Sequence, residues 1–306
     1  MELVSPRMRA VLVGEAMLEL SRAGDGWRLG FGGDTLNSAI HLARAGIDTA
    51  YLTALGSDPF SDDLRQRWRA EGLDVSLVLT DPARNPGLYA ITTDPAGERS
   101  FTYWRDASAA RGMFACAGIE AALADAERAD LLAFSLITLA ILPPQPRASL
   151  LALAARVRAR GGMVAFDGNY RPRLWPAQQD ARAARDAAIA VASIGLPTLE
   201  DETALSGEAD ADAVAAHWQD LGCAETVVKL GAQGCRLPDG EILPPPAVLR
   251  PIDTSGAGDA FNGGYLAARM KGASANEAAR AGHRQAGWCV MRGGAIPPRD
   301  EAAPYA

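Results

Sequence analysis

Short buried-strand patterns alternate with helical patterns along this 306-residue chain, and the alternation constrains its fold more than any other feature. The strand candidates are RAVLVGEAML, TAYLTALG, DLLAFS, GMVAFD, ASIGLP and ETVVKL. Strands that alternate with helices pair in parallel, and helices cover both faces of their sheet. The sequence therefore predicts an α/β fold with a three-layer α/β/α core and a mainly parallel sheet.

One segment, PGLYAITTDPAGERSFTYWRD (86–106), departs from this pattern. Its two alternating strands and the DPAG between them predict a β-hairpin. Period-two geometry places Phe101, Tyr103 and Arg105 on one face, and it places Tyr89 and Ile91 on one face of the partner strand. We expect this hairpin to be a lid over a polar ligand.

The charge balance and the cysteines exclude several classes of protein. The chain has 37 acidic and 30 basic residues, a net charge of -7, which argues against nucleic acid or an anionic membrane as partner. No C-x-x-C pair occurs and the three histidines are dispersed, which argues against a zinc site and favours a reducing compartment. The sequence has no signal-peptide pattern, and its longest apolar run, LLAFSLITLAIL, is too short to span a bilayer. These features predict a cytoplasmic location.

The string DTSGAGDAFNGG near the end of the chain is typical of a phosphate site. Gly256, Ala257 and Gly258 carry almost no side chain, so their N–H groups can surround an anion at the positive end of a following helix. Asp259 would oppose a phosphate unless it takes a proton from the group that attacks the phosphorus. The alternative is a tight connection in which Asp259 caps the helix.

A second glycine-rich start, FGGDTLN, precedes an amphipathic helix near the beginning of the chain. Gly33 would bring the backbone close to a ligand, and Asn37 could donate to and accept from hydroxyl groups. The alternative is a plain helix start that Asp34 caps.

Two later loops follow predicted strands. FDGNYRPRLW places Asn169 and Arg171 where open α/β sheets bind ligands, and Arg171 could hold a carboxylate or phosphate with two hydrogen bonds. VVKLGAQGC places Lys229, Gly231 and Gly234 where they could line a nucleotide. The alternatives are a solvated surface arginine and a β-turn with an exposed lysine.

The strings GGDTLN…LARAG and DTSGAGDAF resemble the two signatures of the PfkB, or ribokinase-like, carbohydrate kinases, over essentially the whole chain. PGLY, GERSFTYWR, NYRPRLW and RGGAIPPR are similar to the members that phosphorylate a sugar acid. The resemblance implies one ribokinase-like domain over residues 1–306, with a β-sheet lid formed by insertions around 15–32 and 86–106. It also implies that ATP, with Mg²⁺, phosphorylates the C6 hydroxyl of a six-carbon keto sugar acid.

The resemblance assigns roles to matching positions. The sugar hydroxyls would be bound by Gly33, Asp34 and Asn37. The acid end would be bound by Tyr89, Tyr103, Arg105 and Arg171. ATP would be bound by Asn169, Lys229, Gly231, Gly234, Gly256 and Gly258. The catalytic group would comprise Asp259 with Gly256, Ala257 and Gly258.

Three positions depart from the family pattern. Leu199 stands where many relatives have the Asn of Asn-x-x-Glu, so Glu202 is left to bind a metal through water. Gly294 stands where some relatives have an acidic residue, and Ser255 replaces a more frequent Thr. A kinase for a neutral sugar such as fructose or ribose, and a non-catalytic sugar or nucleotide sensor, stay open as alternatives.

The predicted lid also suggests an assembly. On its own, it would expose Trp104 and apolar surface of the Ile91 type. We expect a homodimer or a higher homo-oligomer formed through the lid.

Overall fold

The computed structural model describes residues 8–93 and 99–305. Its strands are β1 (Arg9–Val13), β2 (Met17–Ala23), β3 (Gly26–Gly32), β4 (Asp48–Leu55), β5 (Val78–Thr80), β6 (Gly87–Thr93), β7 (Arg99–Trp104), β8 (Leu131–Ser135), β9 (Met163–Asp167), β10 (Ile194–Gly195), β11 (Glu225–Thr226), β12 (Val228–Lys229), β13 (Cys235–Arg236) and β14 (Ile242–Leu243). Its α-helices are α1 (Asp34–Arg44), α2 (Pro59–Ala70), α3 (Ile119–Ala126), α4 (Leu136–Ile141), α5 (Pro144–Ala159), α6 (Gln178–Val191), α7 (Leu199–Ser206), α8 (Ala211–Asp220), α9 (Ala257–Met270) and α10 (Ala275–Val290).

Seven strands form the central sheet, in the order β11-β10-β9-β8-β1-β4-β5. Every neighbouring pair is parallel. Helices α1, α2, α9 and α10 contribute to the core on one face, and α3, α4, α5, α6 and α8 contribute to the core on the other. The predicted three-layer α/β/α architecture is therefore confirmed.

Strand β1 explains why both faces are covered. Val11 and Val13 belong to one core, and Ala10 and Leu12 belong to the other, all at most 1% exposed. An alternating backbone with apolar residues at successive positions must bury both faces. The chain that follows β1 leaves the large sheet at its carboxyl edge, where open α/β sheets bind ligands.

The prediction of one strand over ETVVKL is wrong in its extent. The chain forms β11 in the large sheet, passes Val227, and then forms β12 in a separate sheet of order β12-β13-β14. Lys229 pairs with Cys235 in that antiparallel sheet. A buried apolar run does not reveal which of two sheets each residue joins, because both sheets bury it.

A four-stranded sheet of order β3-β2-β6-β7, which we call the small sheet, adjoins the core. Strands β6 and β7 pair antiparallel with Tyr89 opposite Tyr103, so the predicted hairpin is confirmed. Its predicted DPAG turn, residues 94–97, lies outside the described residues. Strand β2 joins β6 in parallel and places Glu19 opposite Tyr89. Segments 17–32 and 87–104 thus build one sheet.

Helix α9 packs between α1 and α10, and this contact brings the two glycine-rich starts together. A Cβ added at Gly263 would lie 2.4 Å from His41 Cβ, and one at Gly264 would lie 2.9 Å from Ala281 O. Glycines in the middle of α9 therefore allow both neighbouring helices to approach closely. Among the helices described, none combines the length and apolar character that crossing a membrane would require.

Candidate active site

Two helices begin at glycine beside the carboxyl edge of the large sheet. Gly33 is the N-cap of α1, and Gly256, with a left-handed φ of 68°, is the N-cap of α9. A Cβ added at Gly33 would lie 2.3 Å from Glu15 O. The alternatives in which Asp34 or Asp259 caps its helix are therefore wrong. The first-turn N–H groups of both helices have no partner within their own helix, as an anion site requires, and the Ala257 N–H donates to Thr254 O at 3.3 Å.

Asp259, the third residue of α9, joins the two helix starts. Its Oδ2 accepts a hydrogen bond of 2.8 Å from Asn37 Nδ2, and its main-chain oxygen accepts one of 3.2 Å from Ser38 Oγ. Burial, followed by the nearby Asp34 carboxylate, raises the pKa of Asp259 to about 7, although the Asn37 hydrogen bond opposes the rise. A carboxyl group that titrates near neutral pH can accept a proton and release it again.

Lys229 lies beside the glycine turn of residues 256–258. It is 7% exposed, so the alternative of an exposed lysine is wrong. Its Nζ donates to Asp167 Oδ2 at 3.1 Å and to Asn262 Oδ1 at 3.2 Å, and Asn262 Nδ2 donates to the same Asp167 oxygen at 2.7 Å. A Cβ added at Gly258 would lie 3.6 Å from Lys229 Nζ. The structure therefore holds the Lys229 ammonium group next to the predicted phosphate site.

Asn169 lies on the Asp34 side of the site. Its Nδ2 donates to Asp34 Oδ2 at 3.1 Å, which links the loop after β9 to the start of α1. This contact places Asn169 with the residues predicted to bind sugar hydroxyls. Its role in nucleotide binding stays a prediction.

The small sheet carries aromatic and acidic side chains on one face. Tyr89 Oη donates to Glu19 Oε2, and the rings of Tyr89, Phe101 and Tyr103 lie within 6.5 Å of one another. A Cβ added at Gly32 would lie 2.4 Å from Tyr89 Oη, so the strand before α1 leaves room for that hydroxyl. This face is thereby connected to the Gly33 end of α1.

Both predicted acid-binding arginines already have carboxylate partners. Arg105 Nη2 donates to Glu15 Oε2, and the two residues are 7% and 2% exposed. Arg171 Nη1 donates to Asp201 Oδ1 at 3.1 Å, with half of the arginine side chain exposed. The pKa of Asp201 is raised, because the effect of burial exceeds the lowering by the Arg171 charge. The Arg105–Glu15 ion pair is therefore buried, whereas the Arg171–Asp201 ion pair is partly exposed to solvent.

Glu202, the predicted metal ligand through water, lies in a closed setting. Its Oε2 accepts 2.5 Å from Arg185 Nη1, and its Oε1 accepts 3.2 Å from Trp218 Nε1. The pKa of Glu202 is raised, because the effect of burial exceeds the lowering by the Arg185 charge. Leu199, at the start of the same helix, provides no polar group. The metal role of Glu202 stays a prediction.

The remaining predicted positions belong to turns. Gly231 and Gly234 have positive φ angles of 60° and 106° in the turn after β12. A Cβ added at Gly234 would lie 2.1 Å from Leu243 O, so that glycine allows β14 to approach. Gly294 N donates to Asp253 Oδ2 at 2.7 Å. Backbone geometry therefore accounts for glycine at these positions. The predicted roles of Gly231 and Gly234 in ligand binding stay predictions.

Four site residues were missed from the sequence: Glu15, Glu19, Asp167 and Asn262. Asp167 lies in FDGNY and Asn262 lies in DAFNGG. The signal for Asp167 is a polar residue at the end of a strand, and the signal for Asn262 is a polar residue one turn into a helix. Nothing local distinguishes Glu15 and Glu19 from ordinary acidic residues. Their partners lie 90 and 70 positions away.

Oxygen atoms of three site residues, Glu15, Asn37 and Asp167, lack partners in the described part of the chain. Asn37 Oδ1 and Asp167 Oδ1 are buried and accept no hydrogen bond from the described part of the chain. Within residues 8–93 and 99–305, no three His, Cys, Asp or Glu side chains are grouped as a metal site. Mg²⁺ commonly binds one or two carboxylates together with phosphate oxygens. The unpartnered Asp167 oxygen suits a metal that arrives with a nucleotide.

Comparisons with known proteins agree with this geometry. The model of the "pfkB family carbohydrate kinase" matches residues 8–302. The chain is 42% identical to 2-dehydro-3-deoxygluconokinase of Escherichia coli (strain K12), with 95% of this chain and 98% of that one covered. It is 41% identical to 2-dehydro-3-deoxygluconokinase of Dickeya dadantii (strain 3937), over 94% and 96%. A fructokinase structure from Vibrio cholerae O395 with fructose, ADP and calcium ion bound superposes with a TM-score of 0.80 at 27% identity, over 95% of each chain.

Proposed function

The chain belongs to the pfkB family of carbohydrate kinases, and we propose that it is a 2-dehydro-3-deoxygluconokinase. It would transfer the γ-phosphoryl group of ATP to the C6 hydroxyl of 2-dehydro-3-deoxy-D-gluconate, giving the 6-phosphate of the Entner–Doudoroff route. The observation that carries the proposal is the position of Asp259 in the first turn of α9, where its carboxylate accepts a hydrogen bond of 2.8 Å from Asn37. The 2-dehydro-3-deoxygluconokinases of E. coli and D. dadantii, to which the chain is 42% and 41% identical, support the choice of substrate.

Asp259 is the general base of the proposed reaction. It accepts the proton of the C6 hydroxyl while that oxygen attacks the γ-phosphorus, the bond from the γ-phosphorus to the β,γ-bridging oxygen breaks, and ADP leaves. Its hydrogen bond from Asn37 fixes the direction of the carboxylate. The proton then passes from Asp259 to solvent. A pKa of about 7 suits both halves of this cycle.

The glycine turn stabilises the charge of the migrating phosphoryl group. The N–H groups of Gly256, Ala257 and Gly258 lie at the positive end of α9, where an anion is favoured. Lys229 adds a positive charge next to Gly258 and is held in place by Asp167 and Asn262. When bound with ATP, Mg²⁺ supplies further charge neutralisation on the phosphates. The unpartnered Asp167 oxygen would hold it. Glu202, whose two carboxylate oxygens already accept from Arg185 and Trp218, stays a predicted ligand through water.

The sugar acid would occupy the space between α1 and the small sheet. Gly33, Asp34 and Asn37 bind hydroxyl groups, and the unpartnered Asn37 Oδ1 is an acceptor for one of them. Tyr89 and Tyr103 cover the acid end from the small sheet. Arg105 and Arg171 supply the positive charge, with about 1.5 to 3 kcal/mol for each charged hydrogen bond. A neutral sugar would forgo that contribution.

A neutral-sugar kinase is the second candidate, because both arginines already have carboxylate partners. An arginine whose charge is neutralised discriminates less between an acid and a neutral sugar. Glu19 on the small sheet also places a negative charge near the sugar. The V. cholerae neighbour, which binds fructose, has the same fold.

Coupled ADP release from the purified protein separates the two candidates. We expect turnover of 2-dehydro-3-deoxygluconate with kcat/KM at least about tenfold above fructose and ribose. Arg171→Gln should raise KM for the sugar acid about tenfold by removing a charged hydrogen bond. Arg173→Gln, on the same exposed loop, is the matched control and should leave KM unchanged. Equal turnover of fructose would rule out acid specificity, and sugar binding without ADP release would favour the sensor.

Two broader predictions accompany the function. Trp27 and Trp104, 47% and 57% exposed, lie on the small-sheet face opposite Tyr89, and we propose a homodimer or higher homo-oligomer formed through that face. The expectation that Ile91 lies on this outer face is wrong, because the strand register places it on the Tyr89 face. We also propose a cytoplasmic location, since all four cysteines are unpaired and buried. Light scattering tests the first proposal, and a monomer at micromolar protein would contradict it. Fluorescence microscopy of a tagged chain tests the second.

A further inference from the structure

The segment that follows α10 returns to the glycine turn and packs against it. A Cβ added at Gly256 would lie 2.5 Å from Ala295 Cβ and 2.9 Å from Ala295 Cα. Residue 256 therefore has room only for glycine, and Ala295 limits how far the turn can move toward it. The contact makes Ala295 a supporting wall for the main chain that carries the proposed phosphate-binding N–H groups.

His41, one helical turn after Asn37 on α1, connects this wall to Tyr305. The imidazole is 0% exposed. Its Nε2 lies 3.2 Å from Ala295 O, and its Nδ1 lies 2.7 Å from Tyr305 Oη. Arg44 on the same helix donates to Pro297 O at 2.8 Å, so two α1 side chains hold the returning segment.

The hydrogen bonds of His41 have a defined direction. Burial, reinforced by the nearby Arg44 charge, lowers the pKa of His41 to about 3, so its imidazole is neutral at neutral pH. A neutral imidazole has one N–H donor and one acceptor nitrogen. Since a carbonyl oxygen can only accept, Nε2–H donates to Ala295 O, and Nδ1 accepts from the Tyr305 hydroxyl.

We propose that the Tyr305–His41–Ala295 hydrogen bonds form a latch that holds the glycine turn in the shape required for phosphoryl transfer. Tyr305 and His41 are positioning residues, because they act through Ala295 and Gly256 and touch no substrate. The proposal rests on the phosphoryl-transfer function of the turn. It does not depend on which sugar accepts the phosphoryl group.

Removing the Tyr305 hydroxyl should weaken both bonds of the latch. The buried Nδ1 would lose its partner, and the proton could move from Nε2 to Nδ1. Nε2 would then be an acceptor facing Ala295 O. Among the described residues, the weak Cys289 Sγ donor, 3.4 Å away, would be the one donor left at that oxygen, so the contact that holds Ala295 would be lost. Donors in a displaced turn fit the transition state less well, so catalysis should suffer more than ATP binding.

Tyr305→Phe tests the latch directly. We expect kcat to fall about tenfold and the ATP dissociation constant, measured by calorimetry, to change by less than about threefold. Tyr265→Phe is the matched control, because Tyr265 is a buried tyrosine on α9 whose hydroxyl donates to Glu225 Oε1 at 2.7 Å, away from Ala295. It should lose similar thermal stability and keep its kcat.

A double-mutant cycle with Ala295→Gly shows whether the effect passes through the wall. We expect the double variant to lose little more kcat than the stronger single variant, because both changes release the same contact. An unchanged kcat in Tyr305→Phe, a fall no larger than in Tyr265→Phe, or fully additive losses would each overturn the latch.

The same assays separate the latch from the proposed function, because they use whichever sugar the unaltered protein phosphorylates fastest. A fastest sugar that is neutral overturns only the substrate assignment. A protein that phosphorylates no sugar overturns both.

Discussion

The proposed phosphoryl-transfer end and the proposed acid-binding end of the site are built in different ways. The first is formed largely by one continuous segment, in which Gly256, Ala257 and Gly258 precede Asp259 on α9. The second consists of two ion pairs between residues that are distant in sequence, Arg105 with Glu15 and Arg171 with Asp201. A contiguous segment gives geometry fixed by the backbone, whereas the acid-binding end depends on tertiary ion pairs. The two ends should therefore respond differently to substitution.

The largest effect is expected at Asp259. Asp259→Asn keeps the size of the side chain and removes the proton acceptor, so kcat should fall by about 10²- to 10⁴-fold. ATP affinity, measured by calorimetry, should stay close to that of the unaltered protein, because the glycine turn is unchanged. A variant with normal turnover would exclude Asp259 as the base.

The buried ion pair gives the next largest effect, on stability rather than chemistry. Arg105→Gln leaves the Glu15 carboxylate buried without its partner, which should lower the free energy of unfolding by about 3 to 5 kcal/mol. The double variant Arg105→Gln with Glu15→Gln should recover much of this loss, since the uncompensated charge is gone. Urea unfolding measures both.

Arg171→Gln is the exposed counterpart of this experiment. Half of the Arg171 side chain is exposed to solvent in its ion pair with Asp201, so the free energy of unfolding should fall by about 0 to 1 kcal/mol. Equal losses at Arg105 and Arg171 would contradict the distinction between a buried and a solvated arginine.

Gly256→Ala tests the backbone at the phosphoryl-transfer end. The added Cβ would meet Ala295 at 2.5 Å and would strain a φ of 68°, so the turn should be displaced. We expect kcat to fall about 100-fold. Gly272→Ala, at a φ of 86° with no atom within 4 Å, is the matched control for backbone strain. It should lose stability and retain kcat, and a similar loss of kcat in both variants would contradict a specific role for the turn.

A further expected effect is the pH dependence of kcat/KM. The pKa of Asp259 is raised to about 7, so the deprotonated base is lost as the pH falls through that value. kcat/KM should therefore decrease about tenfold for each pH unit well below it. Asp259→Asn should lack this dependence. A profile that stays flat down to the usual range of aspartate would mean that Asp259 is not the titrating base.

Much of the core could be predicted from the sequence because its signals are local. Strands β1, β4, β8 and β9 are compact apolar runs, and α1 and α2 have helical periodicity with clear ends. The division of ETVVKL between two sheets could not be predicted, since both sheets bury apolar residues. The short strands β13 and β14 were missed for a related reason, because two residues carry no periodicity.

In the candidate site too, features with a local sequence signal could be predicted, and features that depend on distant residues could not. The DTSGAGD string predicts the glycine turn because the helix start and the acidic residue are adjacent in sequence. The partners of Lys229 could not be predicted, because Asp167 and Asn262 lie 62 and 33 positions away. The burial of Arg105 could not be predicted from the sequence either, because its partner Glu15 lies 90 positions away.

A crystal structure of the protein with 2-dehydro-3-deoxygluconate and a non-hydrolysable ATP analogue tests most directly whether the glycine turn and Asp259 act together. The γ-phosphorus should lie against the N–H groups of residues 256–258, with the C6 oxygen within hydrogen-bond reach of Asp259, about 2.6 to 3.2 Å. A terminal phosphate bound away from this turn, or a C6 hydroxyl directed away from Asp259, would contradict the proposed mechanism.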